Sequence, residues 1–185
     1  LLSIAAGVRH TAGGLIHIGR ADFGIFQQGA ADLTRSLLPA SLGPRIAASP
    51  GVADVSGIFI HVARVDRRDS YLVFGLDPEA FTARRLVIVS GRRARPGEIL
   101  LGDKGARLLH RAAGDTVRVD GRPYRVAGIY HSGDTFEDLG SVLPLRTVQR
   151  LVDRPTDVTT FGITVELARR PKDVARALER RFPGT

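Results

Sequence analysis

The stretch that decides the fold runs from Arg95 to Leu151: RPGEILLGDKGARLLHRAAGDTVRVDGRPYRVAGIYHSGDTFEDLGSVLPLRTVQRL. Its centre reads as one tight hairpin. Gly114-Asp115 is a turn, and Thr116-Val117-Arg118-Val119 alternates apolar and polar like a strand. Asp120-Gly121 is the two-residue signal that a type I′ turn favours, and Tyr124 to Tyr130 returns as the partner strand. Upstream, Glu98 to Leu101 leads into a short helix over Lys104–Leu109. Downstream, the polar segment His131 to Gly140 reads as a loop. A short strand follows over Ser141 to Leu145, and a helix beginning at Pro144-Leu145 carries Val148, Leu151 and Val152. The hairpin therefore belongs to a small sheet or barrel.

Outward from this centre the pattern changes. Phe23 to Gln27 reads as a strand followed by a Gly-containing turn. Leu37, Leu38, Leu42, Ile46 and Ala47 fall at near-helical spacing, with Thr34 or Ser36 as the cap and a kink or break expected at Pro44. Val52 to Val65 reads as a strand rich in branched residues, Asp66 to Asp69 as a charged hairpin tip, and Tyr71 to Leu76 as the returning strand. Leu86 to Val89 is a short strand and Ser90 to Gly97 a basic loop. Near the end, Thr159 to Leu167 reads as a strand. Pro171 opens a helix with Val174, Ala177, Leu178 and Phe182 on one face, and Pro183-Gly184 closes it. Two parts rich in both strands and helices thus flank a β-rich middle, which predicts an α+β layer with helices on one face.

With 185 residues the chain is one domain or two small ones, and it can bury a core without disulfides or metals. It has no cysteine, which excludes a disulfide framework, a thiolate nucleophile and Cys-ligated zinc or iron–sulfur sites. The net charge is +8, and of 27 basic residues only Lys104 and Lys172 are lysines. Such a field favours anionic partners without choosing among nucleic acid, lipid headgroups and acidic proteins. No apolar run reaches the roughly 20 residues that span a bilayer. Between Leu1 and Ile18, however, Arg9 is the only charged side chain beside His10 and His17. That segment lacks the order of a signal peptide.

Motifs for chemistry are sparse. His10, His17, His61, His110 and His131 form no HxxxH or HExxH pair, so no metal site is expected. There is no GxSxG nucleophile elbow and no phosphate-binding glycine loop. Asp134, Glu137 and Asp138 make an acid cluster in the polar loop, where charged side chains are usually solvated. No nucleophile or metal partner accompanies them for a hydrolase. The arginines come in scattered groups: Arg67-Arg68, Arg84-Arg85, Arg92-Arg93 with Arg95, Arg169-Arg170 and Arg180-Arg181. A nucleic-acid surface wants them on one face with stacking aromatics, and no RRM-like motif is present. A stand-alone basic module binding nucleic acid is the alternative reading of this charge.

The order of words across the deciding stretch resembles the extracytoplasmic core domain of MacB/FtsX-type ABC transporter permeases. The matching residues are Gly97-Glu98, Gly102, Ala106, Leu109, Gly114-Asp115, Gly121, Tyr124, Val126 and Gly128-Ile129, then Pro144-Leu145 and Gln149. GLDPEAF from Gly75 to Phe81 and the ending at Phe182-Pro183-Gly184 are similar too. These residues set turns and core positions; none is implied to touch a ligand. The resemblance implies an α+β fold in which residues 21–80 and 136–185 form a porter-like α/β sandwich. Residues 81–135 form an inserted, small β-rich (Sabre-like) part, and residues 1–20 are the connector from a truncated membrane helix. It implies a non-enzymatic domain outside the cytoplasmic membrane, with no cofactor and no catalytic residue. Its partners would be a cytoplasmic ABC ATPase subunit or domain, a second permease copy, the membrane and an extracytoplasmic protein, not nucleic acid. ATP-driven movement of membrane helices would then be coupled to export or extraction of a lipid, lipoprotein, peptide or drug-like amphiphile. The basic segment Arg92, Arg93 and Arg95 would suit a position above anionic headgroups.

Overall fold

The computed structural model describes residues 4–5, 18–30 and 32–182. The expected connector thus falls largely outside the described residues, as do His10, His17 and Pro183-Gly184. In chain order the strands and helices are β1 (Ile4–Ala5), β2 (Phe23–Gln27), β3 (Leu38–Pro39), α1 (Leu42–Ala47), β4 (Val52–Val65) and β5 (Arg68–Leu76). Then come α2 (Phe81–Arg84), β6 (Val87–Gly91), β7 (Glu98–Gly102), α3 (Asp103–Leu109), β8 (Thr116–Val119) and β9 (Arg122–His131). The chain continues with α4 (Thr135–Asp138), β10 (Ser141–Pro144), α5 (Leu145–Leu151), β11 (Asp157–Val158), β12 (Thr160–Val165) and α6 (Pro171–Arg181).

The fold is α+β, and its main sheet is partly closed. β4 pairs with β5, β5 in parallel with β10, β10 with β7, β7 in parallel with β9, β9 with β8, and β8 returns to β4 through Val65↔Val119. These six strands make a barrel. β4 is long because it serves two structures. Its second half is a barrel stave, while its first half pairs with β12, which pairs with β2, which pairs with β1. The second set is an open wing. Residues 81–135 join the rest of the sheet at two seams, β7 on β10 and β8 on β4.

Side-chain alternation explains the three cores. Phe59, Ala63, Val65, Tyr71, Val73, Ile99, Leu101, Val117, Val119, Val126 and Leu143 fill the barrel, with Ala106 and Leu109 of α3 and Val148 of α5 packed against them. On the other face, Ile58, Ile60, Phe74, Leu76, Leu100, Tyr130 and Val142 pack under Leu86, Phe26 and Ile18. In the wing, Phe23, Ile25, Phe161 and Ile163 meet Ile46 of α1 and Val174, Ala175 and Leu178 of α6. Helices therefore cover one face of the wing, as the sequence pattern predicts.

Several local expectations are corrected. No helix starts at Thr34 or Ser36. Leu38–Pro39 instead pairs with Asp157–Val158, and the Ser36 hydroxyl accepts a hydrogen bond from Gln27 N at 2.8 Å. The helix begins at Leu42, so Pro44 lies in its first turn, where its missing N–H has no partner to lose. Asp66-Arg67 alone turns the first hairpin, with Asp66 left-handed at φ 52, because β5 already begins at Arg68. The Asp120-Gly121 turn has the two positive φ values, 47 and 80, that a type I′ turn requires. The segment His131 to Gly140 is not all loop: Thr135–Asp138 makes one helical turn.

Candidate functional site

The parallel register of β7 and β9 creates the most distinctive polar cluster among the described residues. Gly102 pairs with Tyr130, so the next residues, Asp103 and His131, leave two neighbouring strands side by side. The turn α4 then crosses directly over Gly102. A side chain at Gly102 would overlap the backbone of Asp138, so only glycine admits this approach. Gly102 N also donates to Gly140 O at 2.9 Å, which ties the crossing down.

Asp138 is thereby delivered to the strand ends. His131 Nδ1 lies 3.0 Å from Asp138 Oδ2 and 3.5 Å from Asp103 Oδ2. Asp138 is 1% exposed, whereas the His131 side chain is 47% exposed. The other carboxylate oxygen of Asp138, Oδ1, accepts from Ser132 N at 2.7 Å and from the Ser132 hydroxyl at 2.9 Å. Its Oδ2 is buried and meets only the His131 ring nitrogen, as an ion-pair contact without a hydrogen bond, and Asp103 Oδ1 is buried without a hydrogen bond too. The exposed edge of the cluster opens on a broad groove of about 1010 Å³, lined by Ser90, Asp103, Arg107, His110, Arg111 and His131 among others. Arg107 stands over the cluster from the next turn of α3, its Nη1 3.7 Å from Asp103 Oδ2.

The three acids singled out in the sequence have different fates. Asp134 caps α4, its Oδ1 accepting from Phe136 N at 2.8 Å and Glu137 N at 3.2 Å. Glu137 and Asp138, expected in solvent, are each 1% exposed. They are buried because α4 folds onto the barrel, where the Tyr130 hydroxyl donates to Glu137 O at 2.7 Å. Burial pushes the Tyr130 phenol well above its ordinary range, and the nearby carboxylates push it the same way. Tyr71, which donates to Gly140 O at 3.1 Å, is likewise raised by burial. The remaining described histidines lie outside the cluster, although His110 lines the same groove. His61 Nε2 lies 2.8 Å from Asp120 Oδ2, and His110 ends α3 in a left-handed conformation.

The structure brings His131 and Asp138 together and adds Asp103, which the sequence does not single out. The one sequence signal that could find Asp103 is its position after a strand that runs parallel to the strand ending at His131. Parallel pairing between non-adjacent strands leaves no periodicity of its own.

The arginine groups do not form one basic face. Arg92 forks onto Glu98 with two contacts of 2.6 Å. Arg93 donates to the carbonyls of Ala83 at 2.8 Å and Arg84 at 2.7 Å. Arg85 donates to Gly19 O at 3.1 Å and lies 5.0 Å over the Phe81 ring. Arg181 lies over Phe182, and Arg169 pairs with Glu166 at 3.7 Å. These five arginines are thus engaged with carbonyls, carboxylates and rings of the chain itself. The Glu98 carboxyl is held down at about 2, first by the hydrogen bonds from Arg92 and then by the backbone N–H of Arg95.

Comparison with known proteins matches residues 1–181 to the family described as the MacB-like periplasmic core domain. Among solved structures, the chain is similar to the periplasmic region of MacB from Actinobacillus actinomycetemcomitans. The TM-score is 0.60, with 15% identity over 78% of this chain and 74% of that one. It is similar to the extracellular domain of the noncanonic ABC-type transporter YknZ from Gram-positive bacteria, with TM-score 0.62 and 15% identity over 80% of this chain and 86% of that one. A domain of a putative permease from Porphyromonas gingivalis gives TM-score 0.52 and 14% identity over 78% and 71% of the two chains. No curated protein sequence matches. At these identities the structural likenesses speak for the fold.

Proposed function

The chain belongs to the MacB-like periplasmic core domain family, and we propose that it passes ATP-driven motion of an ABC permease's membrane helices to an amphiphilic cargo outside the membrane. It is an extracytoplasmic domain of a MacB-like ABC transporter permease. No helix among its described residues is long and apolar enough to cross a membrane. The observation that carries the reading is the family match across residues 1–181. The domain does no bond chemistry in this scheme. Its work is the exchange between two discrete arrangements, driven by a cytoplasmic ATPase and shared with a second permease copy.

The architecture supports a mechanical role. β2 and α6, near the two ends of the described chain, pack in the same wing through Phe23, Val174 and Leu178. β4 runs without a break from that wing into the barrel. A displacement entering the wing is carried along one strand to the barrel rather than through a loose linker. In this proposal residues 21–80 and 136–185 are the porter-like part that receives the motion, residues 81–135 are the inserted part that meets cargo or a partner protein, and residues 1–20 are the connector. The test is the full-length protein expressed with its ATPase. It should fractionate with the membrane, co-purify with the ATPase and show ATP hydrolysis that responds to amphiphiles. A full-length protein found in the soluble fraction with no ATPase bound would overturn the reading.

A further inference from the structure

We propose that Asp103, His131 and Asp138 form a binding site for a divalent transition-metal cation, Zn²⁺ by its donor chemistry, with a coordination position open to the neighbouring groove. One ligand atom from each residue lies within 4.8 Å of the other two. Two donors held about 2.0–2.2 Å from one zinc ion at the tetrahedral angle are roughly 3.3–3.6 Å apart. The His131 Nδ1 separations of 3.0 and 3.5 Å to the two carboxylates sit close to that spacing. With all three ligand atoms within 4.8 Å of one another, side-chain adjustment would bring them onto one ion. An imidazole with two carboxylate oxygens suits zinc, and three protein ligands leave a fourth position for water or another donor.

An independent observation points to a ligand. Asp138 is 1% exposed, and its buried Oδ2, aimed into the cluster, accepts no hydrogen bond and faces the His131 ring nitrogen at 3.0 Å. A buried carboxylate calls for a cation facing it, and a neutral imidazole is not one, whereas a metal ion held by that imidazole is. Ser132 completes the arrangement from behind. Its N–H and hydroxyl hold Oδ1, which fixes the carboxylate plane and turns Oδ2 toward His131, as outer-shell donors do around metal ligands. The entry path is the groove, which both Asp103 and His131 line. Arg107 is the competing cation. At 3.7 Å, with a side chain 68% exposed, it is free to swing into solvent when an ion arrives. Such a site would pin α4 to the ends of β7 and β9, whatever the transporter carries.

The experiment is calorimetric titration of the metal-stripped 185-residue chain with Zn²⁺ alone, alongside His131→Ala and Asp103→Asn. Both substitutions fall at exposed or half-buried side chains, and melting without metal checks that each variant folds. The expected result is one saturable site per chain, at least tenfold weaker in either variant. Melting should rise by about 5–10 °C at a hundredfold excess of Zn²⁺ over its dissociation constant, and this rise should vanish in His131→Ala. If wild type and His131→Ala bind Zn²⁺ equally, the metal sits on other histidines and the proposal falls. If no saturable binding occurs, the cluster is a plain ion pair, and the proposal falls as well.

Discussion

The barrel and the wing share β4 but solve the problem of sheet edges in different ways. The barrel closes on itself, so its interior is sealed by strand pairing, with α3 and α5 packed against its core. The wing is an open sheet that depends on α1 and α6 to cover one face, through Ile46, Val174 and Leu178. Closure demands tight approaches at the seams, which is why the barrel side holds the crossing at Gly102. The open wing demands bulk, which is why its centre is Phe23 and Phe161. Each region is therefore most sensitive to the opposite kind of change: loss of volume in the wing, gain of volume at the barrel seam.

The largest effect expected from this contrast is in the wing. Phe161 is 2% exposed, and its ring fills the space that a side chain at Gly43 of α1 would enter. Phe161→Ala should cost about 3–5 kcal/mol, from lost transfer energy and the cavity left behind. Urea unfolding measures it. If β4 makes wing and barrel one cooperative unit, the midpoint falls and the slope stays unchanged. A second transition would show that the wing unfolds alone, and the lever proposed for function would lose its stiffness.

Gly102→Ala should come next, at about 1–3 kcal/mol, from overpacking against the Asp138 backbone. The same denaturation experiment reads it, and an unchanged midpoint would mean that α4 can lift off the barrel without loss. This position also marks the limit of what the sequence discloses. The hairpins are written locally. Asp120-Gly121 specifies its turn, and the long alternating run from Val52 to Val65 specifies a strand. The parallel pairs β5–β10 and β7–β9 are not written in any periodicity, since their partners are separated by other elements. Asp103 therefore reads as a connecting residue before a helix, His131 as a loop residue and Asp138 as a solvated acid. The register Gly102↔Tyr130 joins the first two, and the crossing of α4 over Gly102 brings the third. The order of glycine-bearing words carries the fold because those glycines mark turns and close approaches. It carries nothing about the cluster, whose chemistry belongs to the residues beside the words.

The smallest effect concerns the link between β6 and β7, outside both cores. Arg92 and Glu98 face each other across the basic loop, and Glu98 also accepts from Arg95 N at 2.9 Å. The Glu98 carboxyl is held at about 2, below its ordinary 4.5. Because the folded value is the depressed one, the stabilisation is complete above about 4.5 and fades as pH falls from there toward 2. Melting of wild type and Glu98→Gln, compared from pH 7 down to pH 3, reads this directly. The wild-type advantage should be constant near neutrality and shrink below about pH 4.5, while salt should weaken it throughout, as for any solvent-facing ion pair. An advantage that persists unchanged to pH 3 would mean that the loop is held by the Arg93 bonds to Ala83 and Arg84 instead. In that case Arg93→Ala, rather than Glu98→Gln, would be the substitution that frees the basic segment to meet an anionic surface.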